Sequence, residues 1–284
     1  MELRAAILKT VSYSDIFDYP LTLEEIFRFL VSSKDVKIPD LKKAIKSIQK
    51  LQRAKGFYFL TGRKKIVNER LVKEKISKNK LQIAKKISSL LFAIPTVQLI
   101  GVSGGLAMQN CNKEDDIDLF VISKKNTLWS TRLFILLLLQ IFGLRRKRNE
   151  KESANKFCIN MLLDENDLVL SKKRQNIYGA HEVVQLLPLF ERKNTYNRFI
   201  IANNWIFSYF PNTKLKKVAG LHHTSPFTFT FLFIEPFAKF IQTLYMRKVT
   251  KEEISKNLLA FHPVDYESVV LSEYKKRLRR LSLL

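Results

Sequence analysis

Only two cysteines, Cys111 and Cys158, occur in 284 residues. They are too few and too far apart for a disulfide framework, so a reducing compartment, the cytoplasm, is expected. The first residues (Met1-Glu-Leu-Arg-Ala-Ala-Ile) lack the basic start and long apolar run of a signal peptide. No uninterrupted apolar run reaches the ~20 residues that a bilayer-crossing helix needs. Leu133–Leu144 stops at about a dozen, and Phe227–Tyr245 is interrupted by Glu235-Pro236 and Lys239. The first reads as a buried helix and the second as a core helix pair, so integral membrane insertion is not expected. Walker-type Gly-Lys-Ser/Thr and the Rossmann glycine fingerprint are both missing, which excludes phosphate loops of those kinds. Histidines are few: His181 and His262 stand alone, and His222-His223 are adjacent, a poor arrangement for sharing a metal. There is no internal repeat. Acidic residues are scarce as well, 26 against 50 Lys+Arg, which leaves a net charge of +24. That excess points to a polyanionic partner, nucleic acid first and an anionic membrane surface second, although compositional drift toward lysine produces similar surfaces. Hydrophobic content of 46% and aromatic content of 11% oppose wholesale disorder, and the length allows two or three domains.

The most informative stretch is Gly101–Ile122. An apolar run (Val97, Leu99, Ile100) stops at Gly101-Val-Ser103-Gly104-Gly105, and an Asp116-Ile-Asp118 pair opens a second apolar run. On a strand Asp116 and Asp118 share one face, with Cα atoms about 7 Å apart, while Ile117, Leu119 and Val121 take the other. Two carboxylates heading a greasy strand cost solvation energy, and a hard divalent cation is the usual compensation. Backbone N–H groups at a small-residue turn entering a helix attract phosphate.

This Gly-Ser turn followed by Asp-x-Asp on the next strand resembles the DNA polymerase β-type nucleotidyltransferase superfamily, over roughly residues 95–125. The resemblance implies that Gly101, Ser103 and Gly104 hold a nucleoside triphosphate and that Asp116 and Asp118 are the catalytic, Mg²⁺- or Mn²⁺-holding pair. It also implies a third carboxylate on a later core strand. The candidate strand, Lys156–Glu165, has Asn160 at its only polar interior position, and Asn ligates through its carbonyl oxygen but takes no proton. Either two carboxylates suffice, a different acid substitutes, or catalysis has been lost. A serine-hydrolase reading of Ser103 finds only partial support, because Gly-Val-Ser-Gly-Gly is an incomplete nucleophile elbow.

The first seventy residues read as a winged helix-turn-helix. Leu3–Val11 is helical by spacing; Thr22 and Glu25 form a capping box for Leu23–Leu30. Pro39 opens a third helix, Asp40–Leu51, with Leu41, Ala44, Ile45, Ile48 and Leu51 on one face and Lys42, Lys43, Lys46 and Lys50 on the other. Gly56–Leu60, a turn at Thr61–Lys65 and Ile66-Val67 read as the wing. In such a module the third helix meets the major groove, and Arg63, Lys64 and Lys65 at the wing tip meet phosphates; such modules also serve as docking elements. Lysines without Asn, Gln or Arg at base-reading positions favour phosphate contact over sequence reading. Val72–Phe92 is a long charged helix, Arg145–Arg148 a basic loop, and everything after Ser171 reads as helical, ending in a basic helix.

The expected protein is therefore α+β: a winged-helix-like domain (1–70), a nucleotidyltransferase core with a flanked sheet (71–175) and a helical C-terminal domain (176–284). Its expected activity is metal-dependent transfer of a nucleotidyl group from an NTP to a hydroxyl of a nucleic acid, protein or small molecule. The alternative is an inactive protein of that fold that binds nucleic acid or a protein partner.

Overall fold

The computed structural model describes residues 2–147, 150, 153–214, 218, 228–247, 253–254, 258–260 and 266–283. The fold is α+β. Its N-terminal unit contains α1 (Glu2–Asp15), α2 (Leu23–Arg28), α3 (Ile38–Lys46) and a hairpin of β1 (Leu51–Ala54) and β2 (Phe57–Leu60). The expected capping box is present: Thr22 accepts from the Glu25 N–H while the Glu25 carboxylate accepts from the Thr22 N–H. Leu41, Ile45 and Ile48 turn inward onto Ile7, Leu21 and Ile26, which leaves the lysines of α3 outside. Leu21 also exchanges two backbone hydrogen bonds with Tyr58, adding a short third segment beside the hairpin.

The hairpin lies earlier than its sequence reading. Leu51 pairs with Leu60 and Ala54 with Phe57, so Lys55 and Gly56 form the two-residue tip. Both have positive φ, 49° and 85°, the backbone that a tight hairpin turn with the native strand twist requires. Ile66 and Val67 are not a returning strand; they open α4 (Lys65–Phe92), where they pack on Phe57 and Phe59. The basic stretch Arg63–Lys65 thus joins hairpin to helix instead of forming a wing tip. At about 42 Å, α4 spans the molecule and ends against the central sheet.

That sheet has six strands in the order β6-β3-β4-β5-β8-β7: β3 (Val97–Val102), β4 (Ile117–Ser123), β5 (Phe157–Asp164), β6 (Leu187–Glu191), β7 (Glu253–Ile254) and β8 (Leu258–Ala260). Only β4 and β5 are parallel, joined by a crossover through α6 (Leu128–Ile141). A short α5 (Gly104–Ala107) links β3 toward β4. Alternation along β4 sends Ile117, Leu119 and Val121 to the layer of α4, α6 and α9 (Thr228–Arg247). Phe120 and Ile122 face the opposite layer, built from α7 (Ile177–Gln185) and α8 (Thr195–Ala202). Asp118 belongs to that second face. The last helix, α10 (Tyr266–Arg280), packs on α1 and α7.

The chain after Ser171 is not all helical, as its apolar pattern had suggested: β6 pairs with β3, and β8 with β5, so late residues extend the sheet on both sides. The expected helix Tyr178–Phe190 breaks at Leu186, whose ψ of 125° leads into the strand containing Pro188. The Phe-rich stretch is one helix, not a pair, despite Pro236. Its Glu235 carboxylate accepts from the Trp129 and Ser130 N–H groups at 2.9 and 2.8 Å, satisfying orphan donors at the start of α6. No helix among the described residues is long and apolar enough to cross a membrane. His222, His223, His262 and Arg148 lie outside the described residues.

Candidate active site

Strand β3 ends in a turn locked onto β4. Ser103 is extended (φ −118°, ψ −175°), and its N–H donates to the Asp118 carbonyl oxygen at 3.0 Å. Gly104 follows at φ +60°, and a Cβ there would stand 3.1 Å from Asp118 Oδ2. The glycine is needed twice, for its left-handed backbone and for the close approach of a carboxylate. Gly101 has a different task. A Cβ on it would lie 2.7 Å from the Leu187 carbonyl oxygen, so its smallness lets β6 pair with β3.

Register then assembles the acids. Asp118 pairs with Cys158 across the parallel β4–β5 ladder, and a bulge follows, since Leu119 opposes Ile159 but Phe120 opposes Met161. The extra residue is Asn160. Its side-chain amide donates to Ser103 Oγ at 3.0 Å, tying the bulge to the turn. Cys158, not Asn160, therefore stands beside the Asp pair: ligand atoms of Asp116, Asp118 and Cys158 all lie within 4.8 Å of one another. Buried Lys80 of α4 fastens the loop before β4 by donating to the carbonyl oxygens of Lys113 and Asp115.

These residues face a cavity of about 860 Å³. Gly104, Gly105, Asp116, Asp118, Cys158 and Asn160 line it, whereas Gly101 and the buried Ser103 stand behind its wall. The lining also includes basic residues, Arg132, Arg145, Arg146 and Lys147, and aromatic ones, Tyr13, Tyr178 and Tyr266, brought from α1, α7 and α10. Arg146 donates to Asp116 Oδ2 at 2.6 Å. Asp118 has no such partner among the described residues. Burial, reinforced by the charges of Asp116 and Glu182 and only partly opposed by Arg146, pushes its carboxyl well above the usual carboxylate range. Burial and the two aspartates also push the Cys158 thiol up to about 12. It is a neutral thiol at physiological pH unless a cation displaces its proton.

One cavity residue escaped sequence reasoning. Glu182 on α7 lines the same space, and burial, with Glu267 adding to it against Arg174, pushes its carboxyl up to about 7. No hydrogen bond or ion pair joins its carboxylate to another described residue. The available signal was weak: a lone Glu one turn from Tyr178, on the helix face turned away from buried Ala180 and Val184. His181 beside it is structural, stacked on Tyr13 with ring centroids 3.8 Å apart, and burial pushes its pKa down to about 3.

The expected nucleic-acid contacts do not line this cavity. Lys42, Lys43, Lys46 and Lys50 are exposed along α3 and the turn after it, and Lys64 and Lys65 are exposed at the start of α4. Arg63 is tied by ion pairs to Asp15 and Asp18, and Lys55 holds the hairpin tip instead. No protein-family model matches the chain, and no curated protein or solved structure matches it either.

Proposed function

We propose that the protein is a metal-dependent nucleotidyltransferase that moves a nucleotidyl group from an NTP to an acceptor hydroxyl. The observation that carries this reading is the contact between the Gly104 turn and Asp118 at the wall of a cavity with a basic rim. It joins a small-residue phosphate seat to an unpaired carboxylate, the two parts the Gly-Ser and Asp-x-Asp resemblance calls for. Mg²⁺ or Mn²⁺ fits the Asp pair as a site with two protein carboxylates whose remaining positions fall to phosphate oxygens and water. Such an ion would neutralise charge on the transferring phosphoryl group. Gly104 and Gly105 leave room for the phosphates to approach backbone, and Arg132, Arg145 and Lys147 bring positive charge to the same space. Arg146 holds Asp116 in place and gives a second counter-charge near the β- and γ-phosphates.

The test is transfer of label from each α-labelled NTP, with Mg²⁺ or Mn²⁺, to RNA, DNA, a mixed set of small hydroxyl compounds and the protein itself. Label transfer that disappears in Asp116→Asn and Asp118→Asn is the expected result; no transfer to any acceptor by folded protein overturns the reading.

A second reading, a binding protein that keeps the fold without the chemistry, draws support from two facts. Arg146 already neutralises Asp116, and a neutral thiol stands in the strand position opposite Asp118. In both readings the exposed lysines of α3 make the N-terminal unit, with its winged-helix-like order of three helices and a hairpin, the surface for nucleic-acid phosphates.

A further inference from the structure

We propose that Glu182 is the general base of the reaction, taking the proton of the attacking hydroxyl, and that Tyr13, Tyr178 and Tyr266 around it form the acceptor end of the cavity. This rests on the nucleotidyl-transfer reading and names the group that reading lacks.

Five described carboxylates line the cavity: Asp18, Asp116, Asp118, Glu150 and Glu182. Three are engaged elsewhere. Asp18 pairs with Arg63, Glu150 pairs with Lys156 and accepts from the Lys147 N–H, and Asp116 pairs with Arg146. Asp118 lies against the Gly104 turn, where the phosphates and a cation belong. On the strand where a third acid was expected, Cys158 clusters with the Asp pair itself, and Asn160 has no basic atom and donates to Ser103 Oγ. Glu182 remains. It lines the same cavity as Asp118, is desolvated, and makes no hydrogen bond or ion pair with another described residue. A carboxyl poised near neutrality in a cleft is suited to accept a proton, whereas an ordinary surface Glu is too weak a base.

Its surroundings fit an acceptor more than a phosphate. Tyr13 from α1, Tyr266 and Glu267 from α10, Tyr178 on α7 itself, Asp118 from β4 and Arg174 just before α7 are the titratable and charged groups around it. Three phenol rings and two acids outnumber one cation there, while Arg146 is paired with Asp116. The anionic triphosphate is therefore assigned to the Gly104 turn and Arg146, and a neutral hydroxyl compound to the phenols beside Glu182. In the step, the hydroxyl proton passes to the Glu182 carboxylate as its oxygen bonds to the α-phosphorus. The bond from that phosphorus to the bridging oxygen breaks, pyrophosphate leaves with the electron pair, and Glu182 then returns its proton to water.

The experiment compares wild type, Glu182→Gln and Glu182→Asp in the label-transfer assay across about pH 5.5 to 9, with retention of each labelled NTP measured by equilibrium dialysis. Gln is expected to lower kcat roughly 100- to 10,000-fold and to remove the acid limb of the pH profile, with NTP retention unchanged; Asp is expected to restore part of the rate. Transfer by Glu182→Gln at the wild-type rate and with the wild-type profile overturns the assignment while leaving the transferase reading intact. No transfer by wild type overturns the transferase reading, and the assignment falls with it. Equal circular-dichroism spectra of the variants show that a lost rate is not lost fold.

Discussion

An unpaired, half-buried carboxylate should weaken the fold that holds it, in a way that pH reveals. Glu182 has a folded pKa of about 7 against an ordinary 4.5. The sign follows from proton counting. Below about pH 4.5 the group is protonated in folded and unfolded chains alike and contributes nothing. Between the two values the unfolded chain has already lost the proton that the folded chain keeps, so stability falls as pH rises, and above about pH 7 the loss is complete. A rise of about 2.5 pH units at ~1.4 kcal/mol each gives about 3.5 kcal/mol, an upper bound, since relaxation and water entry reduce it. Glu182→Gln removes the titration but keeps the shape and a neutral polar head. The variant should match wild type in urea unfolding near pH 4.5 and exceed it by about 2 kcal/mol near pH 8, or roughly 4 °C in Tm. Unfolding midpoints that differ by the same amount at both pH values would show that Glu182 is solvated or paired, and would refute the burial argument for its poised carboxyl.

Gly101→Ala drives a Cβ to 2.7 Å from the Leu187 carbonyl oxygen and 3.1 Å from Pro188 Cα, both backbone. It should lower stability by about 1–3 kcal/mol in urea unfolding, and equal stability would mean β6 yields freely. Arg70 is buried, donates to Glu25, Glu74 and the Pro20 carbonyl, and lies 3.7 Å from the Tyr19 ring centroid. Arg70→Ala removes these contacts, although Glu25 keeps its hydrogen bonds from Tyr19 and Thr22, and should cost about 2–3 kcal/mol, read by the same method. Joint Ala replacement of Lys42, Lys43, Lys46 and Lys50 should weaken binding to a mixed-sequence DNA duplex, and flatten its salt dependence by about 0.9 per lost phosphate contact. An unchanged salt slope would remove α3 from the interface. Cys158→Asp places a third carboxylate opposite Asp118, so it should lower Tm in chelator and gain more than wild type from added Mg²⁺. Equal Mg²⁺ responses would count against cation binding between these strands.

What the sequence made legible was local. The Thr22–Glu25 box, the apolar face of α3 and the strand positions around Gly101–Gly105 and Asp116–Asp118 all depend on residues within a few positions of one another, where periodicity and capping chemistry act. The hairpin was misplaced because Gly62 carries as strong a turn signal as Gly56; Ile66 and Val67 were claimed by packing on Phe57 and Phe59. Late strands were missed because β6, β7 and β8 are only five, two and three residues long, too short to show alternation against the apolar background of their neighbours.

The candidate site shows the same division in chemical terms. Its Gly-Ser turn and Asp pair come from one connection between β3 and β4, so their spacing announces them. The strand position facing Asp118 is fixed instead by the register of β5, and a one-residue bulge decides that Cys158 meets the acids while Asn160 turns to Ser103. A bulge leaves no mark in a run as uniformly apolar as Phe157–Leu163. Glu182 is more remote still: it sits on α7, which leads into β6, and β6 docks on β3 through the space that Gly101 leaves. The glycine that the resemblance assigns to nucleotide binding stands instead behind the cavity wall, admitting the strand whose preceding helix carries Glu182. If that chain of packing is right, Gly101→Ala should disturb the pH profile of transfer as well as the stability, whereas a glycine that merely touched nucleotide would change NTP retention first.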